Sequence, residues 1–315
     1  MSEQTLAERL NGRANGLCLY GIAPPRHSVS SDELRAIAMQ QSERIRALGA
    51  DGLIVYDIQD ESDRTSAARP FPFLPTVDAG SYAFEQLRAL EAPRIVYRNV
   101  SRDTPESFVR WLSSAMQRTA SPVSVLVGAA SRNSRPLLTL SQAYALRAQH
   151  APNLLVGGVS IAERHARGAD EHQRMLAKIE SGCRFFVTQA VYDVTSAKSL
   201  LCDYALACAE HGMAPVPVLA TFAPCGSAKT LAFMQWLGIS FPRWLENDLR
   251  ASNDPLQKSV ALCQRIFEEL WEYAQEKSIP LGVNIESVSI RRAEIEASLE
   301  LFRCLRSRIK ASVQP

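Results

Sequence analysis

Along nearly the whole chain a short apolar run, a turn and an amphipathic helical stretch follow one another, and the cycle repeats eight times. A strand whose successor arrives only after a helix pairs with it in parallel, because no hairpin can join the two. The predicted strands are Leu17–Ala23, Gly52–Tyr56, Arg94–Arg98, Val123–Val127, Asn153–Val156 with Gly157 and Gly158, Arg184–Thr188, Val216–Ala220 and Leu281–Glu286. Between them the helical period is plain. Ser30 and Glu33 stand at capping-box spacing, and Leu34, Ile37, Ala38, Gln41, Ile45 and Leu48 then trace one face. Pro105 opens another helix after Thr104, where its missing N–H costs nothing. Eight units are the count for a closed (β/α)8 barrel of the TIM type, whereas a doubly wound sheet of this length shows fewer strands. The expectation is therefore a single barrel domain over residues 1–315, core about 17–309. Helical segments at Ala228–Leu237 and Pro255–Glu276 place an extra helix before the last strand.

Composition removes other classes. Of 315 residues, 46% are hydrophobic and 22% charged, which excludes disordered and fibrous chains. The net charge is +2 and no basic stripe runs along any segment, which argues against a nucleic-acid surface. No run reaches the roughly 20 apolar residues that span a bilayer. Met1 to Asn15 lack the apolar centre of a secretory signal, so a cytoplasmic location is expected. The seven cysteines are scattered without a Cys-x-x-Cys pair, the pattern of reduced, buried thiols. A small-molecule partner fits best. Trp236, Trp244, Trp271 and Tyr273 suit helix packing or a contact between copies in a homo-oligomer.

In such barrels chemistry sits where the strands end. Polar groups follow every predicted strand: Arg26 and His27; Asp57, Gln59, Asp60 and Glu61; Tyr97, Arg98 and Asn99; Ser131, Arg132 and Asn133; Ser160, Glu163, Arg164 and His165; Gln189; Thr221; Glu286 and Ser287. A single loop residue of this kind is ordinarily just solvated. Populated ends on all eight strands argue for a site.

Five motifs, in order, resemble the methylenetetrahydrofolate reductase family. They are Tyr20-Gly-Ile-Ala-Pro-Pro-Arg26, Asp63-Arg64-Thr65, Lys178-Ile-Glu-Ser-Gly182, Phe185-Phe-Val-Thr-Gln189 and Pro242-Arg-Trp244, spread over roughly residues 17 to 305. The resemblance implies an FAD-dependent barrel that reduces 5,10-methylenetetrahydrofolate to 5-methyltetrahydrofolate with NAD(P)H. It implies that Gln189 pairs with the pterin and that Glu163 and Lys178 contact the flavin. Thr221 joins Gln189 as a candidate for folate, and Tyr97 and Ser131 join Glu163 and Lys178 as candidates for the cofactor.

The departures carry as much information. The glutamate of the family's first motif, its general acid, is Gly21 here; its Arg-Gly-Asp after strand four falls near Gly128-Ala129-Ala130-Ser131; its Tyr-Pro-Glu-x-His segment becomes Gly158 to His165. Hydride addition to an iminium first needs a folate nitrogen protonated, by an acid whose pKa is raised. Asp57, Glu61, Glu163 and Glu286 stand at strand ends. Glu286 and Asp57 are the favoured catalytic candidates, because both directly follow apolar runs; a salt bridge to Arg26, Arg98 or Arg164 is the alternative for either. A flavin-free reductase taking hydride directly from NAD(P)H, and a folate-binding protein without redox activity, stay open. Pro224 to Thr230 lacks the first glycine of a phosphate loop and reads as a helix start. His165 and His172 have no third ligand nearby in sequence, so no metal is expected.

Overall fold

The computed structural model describes residues 4–61, 65–129 and 135–313. Its strands are β1 (Cys18–Ile22), β2 (Gly52–Val55), β3 (Arg94–Asn99), β4 (Val123–Val127), β5 (Leu155–Ser160), β6 (Cys183–Ala190), β7 (Val218–Phe222) and β8 (Leu281–Glu286). All pair in parallel with their sequence neighbours, and β1 pairs with β8, so the sheet closes into the predicted barrel. The helices are α1 (Leu6–Asn11), α2 (Ser31–Arg46), α3 (Ala79–Ser81, continuing as a π turn over Tyr82–Gln86), α4 (Pro105–Arg118), α5 (Leu140–His150), α6 (Ala162–Gly168), α7 (Glu171–Glu180), α8 (Val194–Glu210), α9 (Ala228–Trp236), α10 (Arg243–Ala251), α11 (Pro255–Glu276) and α12 (Arg292–Val313). The Ser30–Glu33 capping box forms as predicted and starts α2. Among these helices, none is long and apolar enough to cross a membrane.

Strand alternation divides the apolar residues between two cores. Side chains facing out, such as Leu53, Val96, Phe186 and Val283, pack beneath the helices. Those facing in, Leu19, Ile54, Ile95, Val125, Phe185, Val187 and Leu219, fill the barrel axis. Helix α1 closes the N-terminal end. Thr5 and Glu8 cap it reciprocally, and Leu6 and Leu10 insert beneath Leu17 into the inner core. Replacing Leu10 with Ala is expected to cost about 2–4 kcal/mol, measured by urea denaturation, because the site is closed on every side and cannot collapse fully. Among the described residues the N-terminal end of the barrel axis is thus filled by apolar side chains, and the polar strand ends lie at the C-terminal mouth.

The structure moves two predicted strands. β5, Leu155–Ser160, begins and ends later than expected but runs through Gly157 and Gly158 as read from the sequence, and Gly157 makes room for the Phe185 ring: a Cβ there would be 2.4 Å from Phe185 Cζ. β7 starts after Pro217, which has no N–H to donate, although its carbonyl accepts from Phe186 N at 2.8 Å. Helices α1, α6 and α10 are additions to the predicted set.

Candidate functional site

Alternation that buries Leu19, Ile54 and Leu219 carries Gly21, Tyr56 and Thr221 to the top of the barrel axis, and in β8 it aligns Gly282, Asn284 and Glu286 on one face. There the interior turns polar. Asn284, fully buried, donates from Nδ2 to the Tyr56 hydroxyl at 2.8 Å and to Thr221 Oγ1 at 3.2 Å. Thr221 Oγ1 in turn donates to the Thr188 carbonyl at 2.7 Å. With its oxygen occupied as acceptor, the Tyr56 hydroxyl is left to donate to Glu286, to which it is hydrogen-bonded. The donated hydrogens thus diverge from the Asn284 amide, one branch running through Thr221 to the Thr188 carbonyl at the end of β6 and the other through Tyr56 toward the carboxyl group at the end of β8.

The setting explains the state of that carboxyl. Burial lifts the pKa of Glu286 above the ordinary carboxylate value, while the Tyr56 hydrogen bond pulls it part of the way back. Burial, followed by the nearby Glu286, likewise raises Tyr56, whose ring meets Tyr97 edge-on with centroids 4.9 Å apart. Glu286 is the register partner of Gly21 across β1 and β8. A side chain at 21 would collide with this network, since a Cβ there would lie 2.8 Å from the Tyr56 hydroxyl and 3.1 Å from Asn284 Oδ1. The carboxyl therefore stands one strand away from the position where the resemblance expects an acid, at the same height in the barrel.

Asn284 Oδ1 is buried and has no hydrogen-bond partner among the described residues. An unpaired buried acceptor is costly, and a ligand offering an N–H would satisfy it. Neither Asn284 nor Tyr56 stands among the sequence candidates. The signal for Asn284 was available: it is a polar residue inside an apolar run, two positions before a carboxylate on the same face.

The other predicted residues are placed as follows. Asp57 accepts from Asn99 N at 2.8 Å and from Gln59 Nε2 at 2.5 Å, and burial raises its pKa. Both its oxygens are engaged in bracing the ends of β2 and β3, and Arg98 beside it is gripped by Asp103. Gln189, half-buried at the end of β6, donates from Nε2 to the Leu237 carbonyl at 2.6 Å. It lines a narrow cleft with Ser160, Glu163, Thr188 and Asp193. Glu163 lies in the first turn of α6, accepts from Ser240 N at 3.1 Å and has its pKa raised by burial.

Of the positions assigned to flavin, the three described ones do not fit that group. Lys178 turns its amine to the Val159 carbonyl at 2.6 Å, and burial lowers its pKa. The Tyr97 ring is buried against Tyr56 inside the barrel, and Glu163 is bonded to the Ser240 backbone. Ser131 lies outside the described residues, as do Asp63 and Arg64 of the second motif. A ribityl phosphate would find these groups already engaged within the protein.

Residues 157–277 match the family model of methylenetetrahydrofolate reductase. Among solved structures, an uncharacterized protein from Clostridium thermocellum that binds two copies of 5-methyl-5,6,7,8-tetrahydrofolic acid is 43% identical over 96% of this chain and 99% of its own, with a TM-score of 0.84. A GH113 β-1,4-mannanase, 11% identical over 92% of this chain and 99% of its own with a TM-score of 0.53, shares the fold alone. Among curated proteins none matches. The family match over residues 157–277, and the 43% identity to a folate-binding protein along nearly the full length of the chain, establish that this chain belongs to the methylenetetrahydrofolate reductase family.

Proposed function

We propose that this protein binds a reduced folate in the mouth of its barrel and reduces 5,10-methylenetetrahydrofolate to 5-methyltetrahydrofolate with NAD(P)H, Glu286 serving as the acid. One observation carries the reading. A carboxyl whose pKa is raised, oriented by Tyr56 and Asn284, ends β8 beside Gly21, in a chain 43% identical to a protein that binds two copies of 5-methyltetrahydrofolate. Protonated Glu286 delivers its proton to a folate nitrogen, the bridging C–N bond breaks, and an iminium forms. Hydride from the nicotinamide then adds to that carbon, and Glu286 recovers a proton from solvent. Asn284 Oδ1 accepts from the pterin, and Gln189 pairs with it from across the mouth. No step passes through a flavin, because Tyr97, Glu163 and Lys178, the described positions assigned to it, are engaged elsewhere.

That same engagement favours a second reading, a folate-binding barrel without redox activity. Calorimetry with 5-methyltetrahydrofolate, followed by NADH oxidation in the presence of methylenetetrahydrofolate, separates the two. Binding with turnover by a colourless protein supports the reductase; binding without turnover supports the second reading; no heat with any reduced folate removes both. Gln189→Ala is expected to weaken folate binding roughly tenfold in the same titration, about the worth of one or two neutral hydrogen bonds.

A further inference from the structure

A second cluster lies in the helical layer, outside the mouth. Ala169, in the left-handed region at φ 50°, ends α6 and turns the chain into α7, which sets His172 against His165. Their ring centroids are 5.4 Å apart and their planes 83° to each other. From α8, Asp203 brings Oδ2 to 3.1 Å from His165 Nε2. One donor atom from each of the three residues lies within 4.8 Å of the other two. His165 is 4% exposed, and the Nδ1 atoms of both histidines are buried without a hydrogen-bond partner among the described residues.

Ordinary packing histidines are expected to pair their buried nitrogens; here His165 Nε2 faces Asp203, but Nδ1 of each ring has no partner among the described residues. Zinc bound tetrahedrally by imidazole, with bonds of about 2.0–2.1 Å, holds neighbouring donor atoms roughly 3.4 Å apart and the ring centres of two histidines roughly 5 Å apart. The nitrogen-to-oxygen separation and the ring spacing both fall close to those values, and the His172 donor atom lies within 4.8 Å of the other two. The geometry points to a divalent transition-metal site, of the class filled by zinc, formed by His165, His172 and Asp203 with its fourth position open to water. Two neutral imidazoles and one carboxylate are a donor set suited to zinc and its first-row neighbours, and unlike the oxygen-rich cages of calcium or magnesium. The ion ties α6 to α7 and α8. Because α6 also carries Glu163, it fixes one wall of the cleft beside Gln189.

The test uses the full chain, stripped with a chelator and returned to chelator-free buffer. Titration with Co2+ is expected to raise a visible d–d band of four-coordinate intensity that saturates at one equivalent, and Zn2+ is expected to displace it. Calorimetry with Zn2+ should show one site, weakened at least roughly tenfold by His172→Ala and by Asp203→Asn, whereas His150→Ala at an exposed position leaves it unchanged. Zn2+ should raise the melting temperature of the wild type and not that of either variant. A wild-type protein that gives no saturable Co2+ band, or Zn2+ affinity equal in all four proteins, would overturn the site. The Co2+ spectrum needs only the wild type, so misfolding of a variant does not leave the question open.

Discussion

Glu286→Gln is expected to lower turnover of methylenetetrahydrofolate by about 10²–10⁴-fold, the usual worth of a positioned acid, while folate affinity changes only a few-fold. Glutamine keeps the shape and can still accept from Tyr56, but it has no proton to deliver. The pH dependence makes the test specific. Burial raises the pKa of Glu286, so the acid form persists above the ordinary carboxylate range and activity should fall as pH climbs through the raised value. The Tyr56 hydrogen bond lowers that pKa, so Tyr56→Phe should move the fall to higher pH. Stability follows the same sign. The folded protein binds the Glu286 proton more tightly than the unfolded chain, so its contribution to stability is lost as pH rises from the ordinary carboxylate value to the raised one. Urea midpoints measured on both sides of that window should converge for Glu286→Gln and stay apart for the wild type. A variant with wild-type turnover would remove Glu286 from the reaction.

Phe185→Ala is expected to be the most destabilising single truncation in the inner core, costing about 3–5 kcal/mol. The ring is fully buried on the barrel axis, and Gly157 across from it leaves the space that the ring fills. Gly157→Ala alone should also destabilise, since its methyl would lie 2.4 Å from Cζ. Combining the two removes the collision and fills part of the cavity. The double variant should therefore be more stable than the sum of the singles, a coupling that urea denaturation at constant slope measures. Strict additivity would mean that the two positions do not share that space.

What was legible follows from the range of the forces. Eight alternations of period 2 and period 3.6, the capping box at Ser30 and the proline at 105 are local features, and each states its element without reference to the rest of the chain. The position of Gln189 at the end of β6 was legible for a related reason, since its motif spans one helix and one strand. The boundaries of β5 and β7 were less so, because where a strand starts and stops depends on the neighbours it pairs with, and the register shifts on both sides of β6. Short helices such as α1 and α6 carry too few residues to show a period, and they form because Leu10 and Glu163 find partners elsewhere in the fold.

The site divides along the same line. The sequence by itself determined that this is an eightfold parallel barrel of the reductase family, that polar side chains gather at the strand ends, and that glycine stands at 21 where the family has its acid. Only the tertiary structure decided that Asp57 accepts from Asn99 and Gln59, that Lys178 is turned to the Val159 carbonyl, that Asn284 and Tyr56 gather beside Glu286, and that Asp203 meets two histidines. Backbone periodicity is settled within a few residues, whereas a side chain's role depends on which distant groups the closed barrel brings within hydrogen-bonding distance.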